Sequence, residues 1–198
     1  MEKRSIRLGI MGVKLGAYIK KCSPKGIQSI VVKPEAVVIY IEKEALVSLL
    51  RFLKTHSVLR FSLLLDIWGV DYPNRADRFE INYMLLSLKL NMRIIIKLSC
   101  NEKDMIDSVT GVYSSAGWLE REVWDMYGVY FANNSDLRRI LTDYGFDGHP
   151  LRKDFPLSGF SEVRYDDGEK RVLQEPLEMT QEFRLFNFAS PWEGKKEK

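Results

Sequence analysis

"FSLLLDIWGVDYPNRADRFEINYMLLSLKLNMRIIIKL" runs from Phe61 to Leu98, and its alternation decides the fold. Counting from Leu59, the residues Leu59, Phe61, Leu63, Leu65 and Ile67 are set to point one way, with Arg60, Ser62 and Asp66 pointing the other. Beyond the turn "DYPNRAD", Phe79, Ile81, Tyr83 and Leu85 alternate with Arg78, Glu80 and Asn82. Past a second turn near Asn91, Ile94, Ile96 and Leu98 alternate with Arg93, Ile95 and Lys97. A period of two, broken only by short connections, predicts an antiparallel meander with one apolar face.

That face needs a cover, and the flanking sequence offers one. Upstream, "VVIYI" (Val37 to Ile41) reads as a further buried strand, pairing at an edge or centrally. Leu46, Leu49, Leu50 and Leu53 then follow at the spacing of an amphipathic helix that ends near Thr55. Downstream, Met105, Ile106, Val109 and Val112 predict a second covering helix from Glu102 to about Tyr113. The expected class is α+β: a two-layer sandwich of an antiparallel or mixed sheet with helices on one face, plus a long extended C-terminal arm. On this reading residues 36–145 are the core domain, 1–35 a basic N-terminal extension, and 146–198 a partner-binding arm.

Residues 1–35 stand apart in composition. Lys3, Arg4, Arg7, Lys14, Lys20, Lys21, Lys25 and Lys33 are opposed there by Glu2 and, at the boundary, Glu35. The segment resembles a transit peptide in charge, yet it reads best as a solvated basic arm, with an arm lying along an acidic partner or lipid headgroups as the alternative. No apolar run approaches the roughly 18 residues of a membrane span. Cys22 and Cys100 lie far apart and form no CxxC pair, which fits a reducing compartment.

The search for chemistry turns up little. Iron–sulfur clusters take about four thiolates, and this chain has two cysteines. His56 and His149 show no ligand spacing with them, and there is no phosphate-binding or nucleophile-elbow motif. The chemistry-bearing candidate is the helix in "GWLEREVWDMYGVYF", Gly117 to Phe131. Glu120, Glu122 and Asp125 are potential general acids and bases. At 100° per residue, however, the two glutamates fall on different flanks of a stripe made by Leu119, Val123, Met126, Tyr127 and Tyr130. Arg121 and Asp125 lie together on the opposite face as an i,i+4 pair, worth a few tenths of a kcal/mol if solvated. Trp124 also lies toward that polar side, with Gly128 either as a C-cap or as a point of close backbone approach. An indole beside an ion pair predicts a docking surface rather than a solvated face or a catalytic site.

After Gly145 no helical or strand period is sustained, yet Phe155, Phe160, Tyr165, Phe183, Phe186, Phe188 and Trp192 make the segment aromatic. Ordering it costs roughly 1 kcal/mol or more per residue in backbone entropy. The rings must therefore bury on something larger, and an arm along a partner is the expectation. Nucleic acid is a poor partner, because Asp166, Asp167, Glu169, Glu175, Glu178 and Glu182 are interleaved throughout.

"EREVWDMYGVYF", then "DLRRILTDYGFDGHPLRKDFPLSG", "LLLDIWGVDYP", "RFEINY" and the terminal "FNFASPWE" resemble the 30 kDa subunit family of respiratory complex I, in particular its mitochondrially encoded subunit 9 type. The resemblance begins near Leu46 and leaves out the first 35 residues. It implies a peripheral-arm subunit on the matrix side of the mitochondrial inner membrane, without a membrane span, in an obligate hetero-oligomer beside the large quinone-site subunit. It implies no catalytic, cofactor or metal site in this chain, with FMN, iron–sulfur clusters and ubiquinone held by other subunits. Glu120, Arg121, Glu122, Trp124, Asp125, Gly128, Arg138, Arg139, Arg152, Lys153, Asp154, Phe155 and Pro156 are the expected partner-interface positions. Relatives usually carry His-Pro where this chain has Asn134-Ser135, a pair suited to capping a helix over "DLRRIL". The equivalent subunit of a ferredoxin-dependent or hydrogenase-linked complex is the nearer alternative, and a stand-alone hydrolase using the acidic helix is the more distant one.

Overall fold

A computed structural model describes residues 2–22, 26–33 and 36–178. Two compact units divide it, one ending at Phe155 and the other beginning at Pro156. Of the aromatic residues expected to dock the arm, Phe183, Phe186, Phe188 and Trp192 lie outside the described residues.

The first unit is built on a five-stranded sheet of β1 (Ile27–Val32), β2 (Ala36–Ile41), β3 (Leu63–Asp71), β4 (Phe79–Ser87) and β5 (Met92–Cys100), in the order β1-β2-β5-β4-β3. The predicted meander β3-β4-β5 is present and antiparallel. β2 lies inside the sheet, parallel to β5, with Val37 opposite Ile94 and Ile39 opposite Ile96. All four leucines of the α2 stripe (Leu46–Thr55) are fully buried, and Val37, Ile39, Ile81, Tyr83, Ile94 and Ile96 share that core.

Four expectations need correction. The basic N-terminal segment is not a solvated arm: α1 (Glu2–Cys22) buries Leu15 and Ile19 in the core, and β1 extends the sheet. Gly12 permits the contact, since a Cβ there would come within 2.8 Å of the Val32 Cγ1 atom. In β3 a bulge between Leu64 and Asp66 shifts the alternation. Leu64 is therefore the buried side chain, while Leu63 and Leu65 are each 41% exposed.

The predicted helix over 102–113 is instead a short strand followed by a turn. The Asp104 carboxylate accepts the Asn101 N–H, and the Asn101 side chain accepts that of Glu102, forming a local turn. β6 (Met105–Asp107) then pairs in parallel with β7 (Tyr130–Ala132), and the Val112 and Tyr113 N–H groups both close on the Val109 carbonyl. Ile106, Val109 and Val112 are buried as expected, but Met105 faces out.

The second unit holds an antiparallel hairpin of β8 (Ser161–Asp166) and β9 (Arg171–Pro176), so the segment expected as a long extended arm doubles back on itself there. Arg164 clasps Glu175 across it through two bonds of 2.6 and 2.8 Å.

Candidate functional site

α3 (Ala116–Tyr127) follows β6 and packs one side on the sheet. Val123 is buried there, and the Tyr127 ring lies over Gly69, where a Cβ would meet ring carbons at 2.8 Å. A strand glycine thus makes room for a helix aromatic, and Phe79 meets the same ring edge-on. This much follows from the apolar stripe, except that Tyr130 is out of the helix and half exposed.

The polar side is the correction. It is not solvated, because residues 133–155 return across it as a long irregular segment. Glu120 and Asp125 are 0% exposed and Arg121 is 7% exposed. Arg121 does not pair with Asp125; its Nε and Nη2 donate to the carbonyls of Arg138 and Arg139 at 3.2 and 3.3 Å.

Asp125 is instead the hub of the returning segment. Its Oδ2 accepts the N–H groups of Ile140, Leu141 and Thr142 at 3.1, 2.7 and 2.9 Å. Its Oδ1 accepts the Thr142 hydroxyl at 2.6 Å and the Arg139 guanidinium at 3.0 Å. Burial alone would raise this carboxyl, but the bonds from Thr142, Leu141 and Ile140 outweigh it and hold the pKa at about 2. The expected helix over "DLRRIL" does not form, because its N–H groups close on Asp125 and two of its carbonyls on Arg121. Asn134 makes a turn to the Asp136 N–H rather than a helix cap.

Glu120 ties the other end. It accepts the Ser108 hydroxyl at 2.7 Å, the Val109 N–H at 2.8 Å and the Asn134 amide at 2.7 Å. Burial pushes its carboxyl up against the downward pull of those three donors. Asn134 is thus held against a buried carboxylate by its side-chain amide.

Trp124 is not left to water: Tyr130 and His149 stand edge-on to it, each with a centroid separation of 6.0 Å. Gly128 is both of the things proposed for it. It ends α3 in the left-handed region at φ 77°, and a Cβ on it would fall 2.5 Å from the His149 Nε2 atom and 2.6 Å from Arg152 Nη2. The close approach comes from this chain's own loop.

"LRKDF" likewise belongs to the core unit rather than to the arm. Arg152 donates to the Tyr127 carbonyl at 2.6 Å and pairs with Glu102, and its guanidinium lies 5.2 Å from the Phe79 ring centroid. Lys153 donates its N–H to Asp71 at 2.8 Å, while Arg78 grips Asp71 through two bonds of 2.7 and 2.8 Å and reaches Asp154 at 3.1 Å. The Arg78 bonds hold the Asp71 and Asp154 carboxyls below their ordinary range. Phe155 packs near Phe146 and against Gly148.

Ser108, Thr142, His149, Asp71 and Arg78 are the residues that sequence reasoning missed. Only Asp71 and Arg78 carried a sequence signal, as opposite charges flanking the "DYPNRAD" turn.

The sum is a carboxylate-and-arginine clamp that fixes residues 134–155 on α3. Outward from that fixed segment stand Leu141, Tyr144 and Leu151, with Trp118 and Glu122 exposed on the helix itself.

Comparison with known proteins finds relatives of this chain. The sequence profile described as "Respiratory-chain NADH dehydrogenase, 30 Kd subunit" matches residues 39–161. "NADH dehydrogenase [ubiquinone] iron-sulfur protein 3" of Beta trigyna is 66% identical over 148 residues, covering 75% of this chain and 77% of that protein. "NADH-ubiquinone oxidoreductase subunit 9" of Reclinomonas americana is 51% identical over 180 residues, 91% of this chain and 88% of its own. Among solved structures, a chain of the membrane-bound sulfane sulfur reductase, an archaeal respiratory membrane complex, superposes with a TM-score of 0.64. It is 26% identical and covers 74% of this chain and 86% of that one.

Proposed function

Because this chain belongs to the 30 kDa subunit family of respiratory-chain NADH dehydrogenase, and is by that membership a complex I subunit, we propose that it is a non-catalytic structural subunit of the mitochondrial enzyme. It sits in the peripheral arm on the matrix side of the inner membrane, beside the quinone-site subunit. The observation that carries this reading is the clamp. Five bonds to Asp125 immobilise a long irregular segment that has no chemistry of its own but displays Leu141, Tyr144 and Leu151 to the outside. A loop held rigid and presenting apolar side chains is suited to an interface.

Of the expected interface positions, Glu122, Arg138, Lys153, Asp154 and Pro156 are exposed, and the half-buried Trp124 keeps accessible atoms for a partner. Glu120, Arg121 and Asp125 act one step back, by holding the surface in shape. The arm contributes separately: Val163, Tyr165 and Val172 lie on one face of its hairpin, all exposed. A two-stranded hairpin is marginal alone and gains stability by burying such a face on a neighbour.

The donor set does not fit an iron–sulfur cluster, whatever relatives are called. Cys22 is exposed on α1, and Cys100 is buried at the end of β5 with burial pushing its thiol up to about 12. FMN, clusters and ubiquinone are assigned to other subunits. Nor does the acidic helix suit a stand-alone hydrolase. Glu120 and Asp125 offer no exposed oxygen, and a carboxyl at about 2 is a weak base. The likeness to a chain of an archaeal respiratory membrane complex favours one second reading, the equivalent subunit of a related membrane assembly.

Mild detergent extraction, native-gel separation and blotting for this chain decide between these. Co-migration with an NADH-oxidising band and no free pool is the expected result. Arg152→Ala should lower the amount of that band while leaving turnover per assembled complex within about twofold. Normal assembly with lost turnover would contradict the structural role.

A further inference from the structure

Near the start of α3 lies a polar cleft of about 200 Å3, bordered by Trp118, Arg121, Asn134, Ser135, Asp136 and Arg138. Its floor is the Arg121 guanidinium, 7% exposed. Two of its nitrogens donate to main-chain carbonyls, as described above. The third, Nη1, has Asp136 as its one carboxylate within 4 Å among the described residues, and that distance is 3.9 Å.

Asp136 is itself engaged elsewhere. It is half exposed, and both its oxygens accept from Arg138 Nε, at 2.9 and 3.1 Å. Glu120, next to Arg121 in sequence, directs its oxygens to Ser108, Val109 and Asn134. Two guanidiniums thus share a single surface carboxylate, and the more deeply buried of them has the poorer contact. Buried charges are ordinarily paired at hydrogen-bond distance, because desolvation without a counter-charge is costly. The cleft is one negative charge short.

From this charge deficit we infer that the cleft receives an aspartate or glutamate side chain from a neighbouring polypeptide, seated between Arg121 Nη1 and Arg138. The inference rests on the assembly reading above and gives that surface its chemistry. A planar carboxylate matches the guanidinium forks. The net charge of the three groups, two arginines and Asp136, is one positive unit, which suits a monoanion better than a doubly charged phosphate. The surroundings are those of a protein contact: the Trp118 indole is 65% exposed and lies 5.0 Å from the Arg121 guanidinium carbon, and tryptophan and arginine are enriched at protein interfaces.

Arg138 is the place to test it, since its side chain is 69% exposed and only its carbonyl is needed by Arg121. In the intact native complex carrying Arg138→Lys, carbodiimide couples the introduced amine to any carboxylate in direct contact. Peptide mapping should find it joined to an Asp or Glu of another polypeptide, with acetylation of the amine at least tenfold slower than in the urea-unfolded chain. Coupling confined to Asp136, or acetylation as fast as in the unfolded chain, overturns the inference while the chain still co-migrates with the complex. Protection without any protein cross-link also overturns it, in favour of a non-protein anion. A wild-type chain migrating apart from the complex would sink the assembly reading, and this inference with it. Arg138→Glu, which sets like charges in the cleft, should lower the assembled fraction about tenfold.

Discussion

Replacing Asp125 by asparagine removes one charge and turns an N–H donor toward groups that are themselves donors. The carboxyl accepts three backbone N–H groups on one oxygen, and a hydroxyl and a guanidinium on the other. In either orientation the amide keeps at most one of these sets and leaves the other buried and unpaired. The ionised form is favoured in the native state by the drop from the ordinary 3.8 to about 2, which converts to about 2 kcal/mol at neutral pH. Unpaired donors add about 1–3 kcal/mol. The clamp should therefore weaken by about 3–5 kcal/mol, or about two to four decades in its opening equilibrium.

Amide hydrogen exchange of the purified complex reads this at Ile140, Leu141 and Thr142. Their protection should fall about a hundredfold or more in Asp125→Asn, while β4 and β5 amides stay unchanged. The sign with pH follows from a depressed carboxyl. Its stabilisation is complete above the unfolded value near 3.8 and is lost as pH falls through about 2. The wild-type loop should thus loosen across that window, and the variant loop should show no such step. Protection at these three amides within threefold of wild type at neutral pH would refute Asp125 as the hub.

Gly128→Ala should cost about 2–4 kcal/mol, from the left-handed backbone and the displacement of His149 and Arg152; a thermal melt of the complex measures it, and an unchanged Tm rejects the tight contact. Tyr144→Ala removes a fully exposed ring and should leave loop protection intact while lowering the assembled fraction about tenfold, as a native-gel titration would show; equal assembly would move the interface elsewhere. Leu50→Ala opens a cavity under the sheet and should destabilise by about 3 kcal/mol, lowering the denaturant midpoint for loss of the native band; a shift equivalent to less than 1 kcal/mol would contradict its place in the core.

The sheet was largely legible because its alternation is local and one face is buried. It failed at Leu64, where a bulge moves the phase by one residue, and such a bulge leaves no mark in a run of three leucines. Ile106, Val109 and Val112 misled for a related reason: a spacing of three is met by a strand leading into a turn as well as by a helix. Leu15 and Ile19 were passed over because the surrounding lysines dominated the composition. The polar face of α3 could not be read, since amphipathic reasoning allows a helix a single buried side. The second side is buried by residues 133–155, whose bonds to Asp125 and Arg121 follow no period. Gly128 was legible because only a left-handed end or a close approach explains glycine there. Asn134 was recognised as a departure, but its bond to Glu120 depends on a tertiary contact.

The place of β2 inside the sheet has a consequence for how the chain acquires its structure. β2 is apolar on both faces and pairs in parallel with β5, so Ala36 must wait for Arg93 to be synthesised. The hairpins β3-β4 and β4-β5 close over short loops and are ready sooner. During synthesis, then, the Ala36–Ile41 segment leaves the ribosome with its β5-facing edge open and its partner not yet made, a condition that invites wrong pairings. β1 is the strand at hand to shield its other edge, and α1 to cover one of its faces. The basic N-terminal segment, seen this way, guards the most vulnerable strand while the rest of the sheet is still being translated.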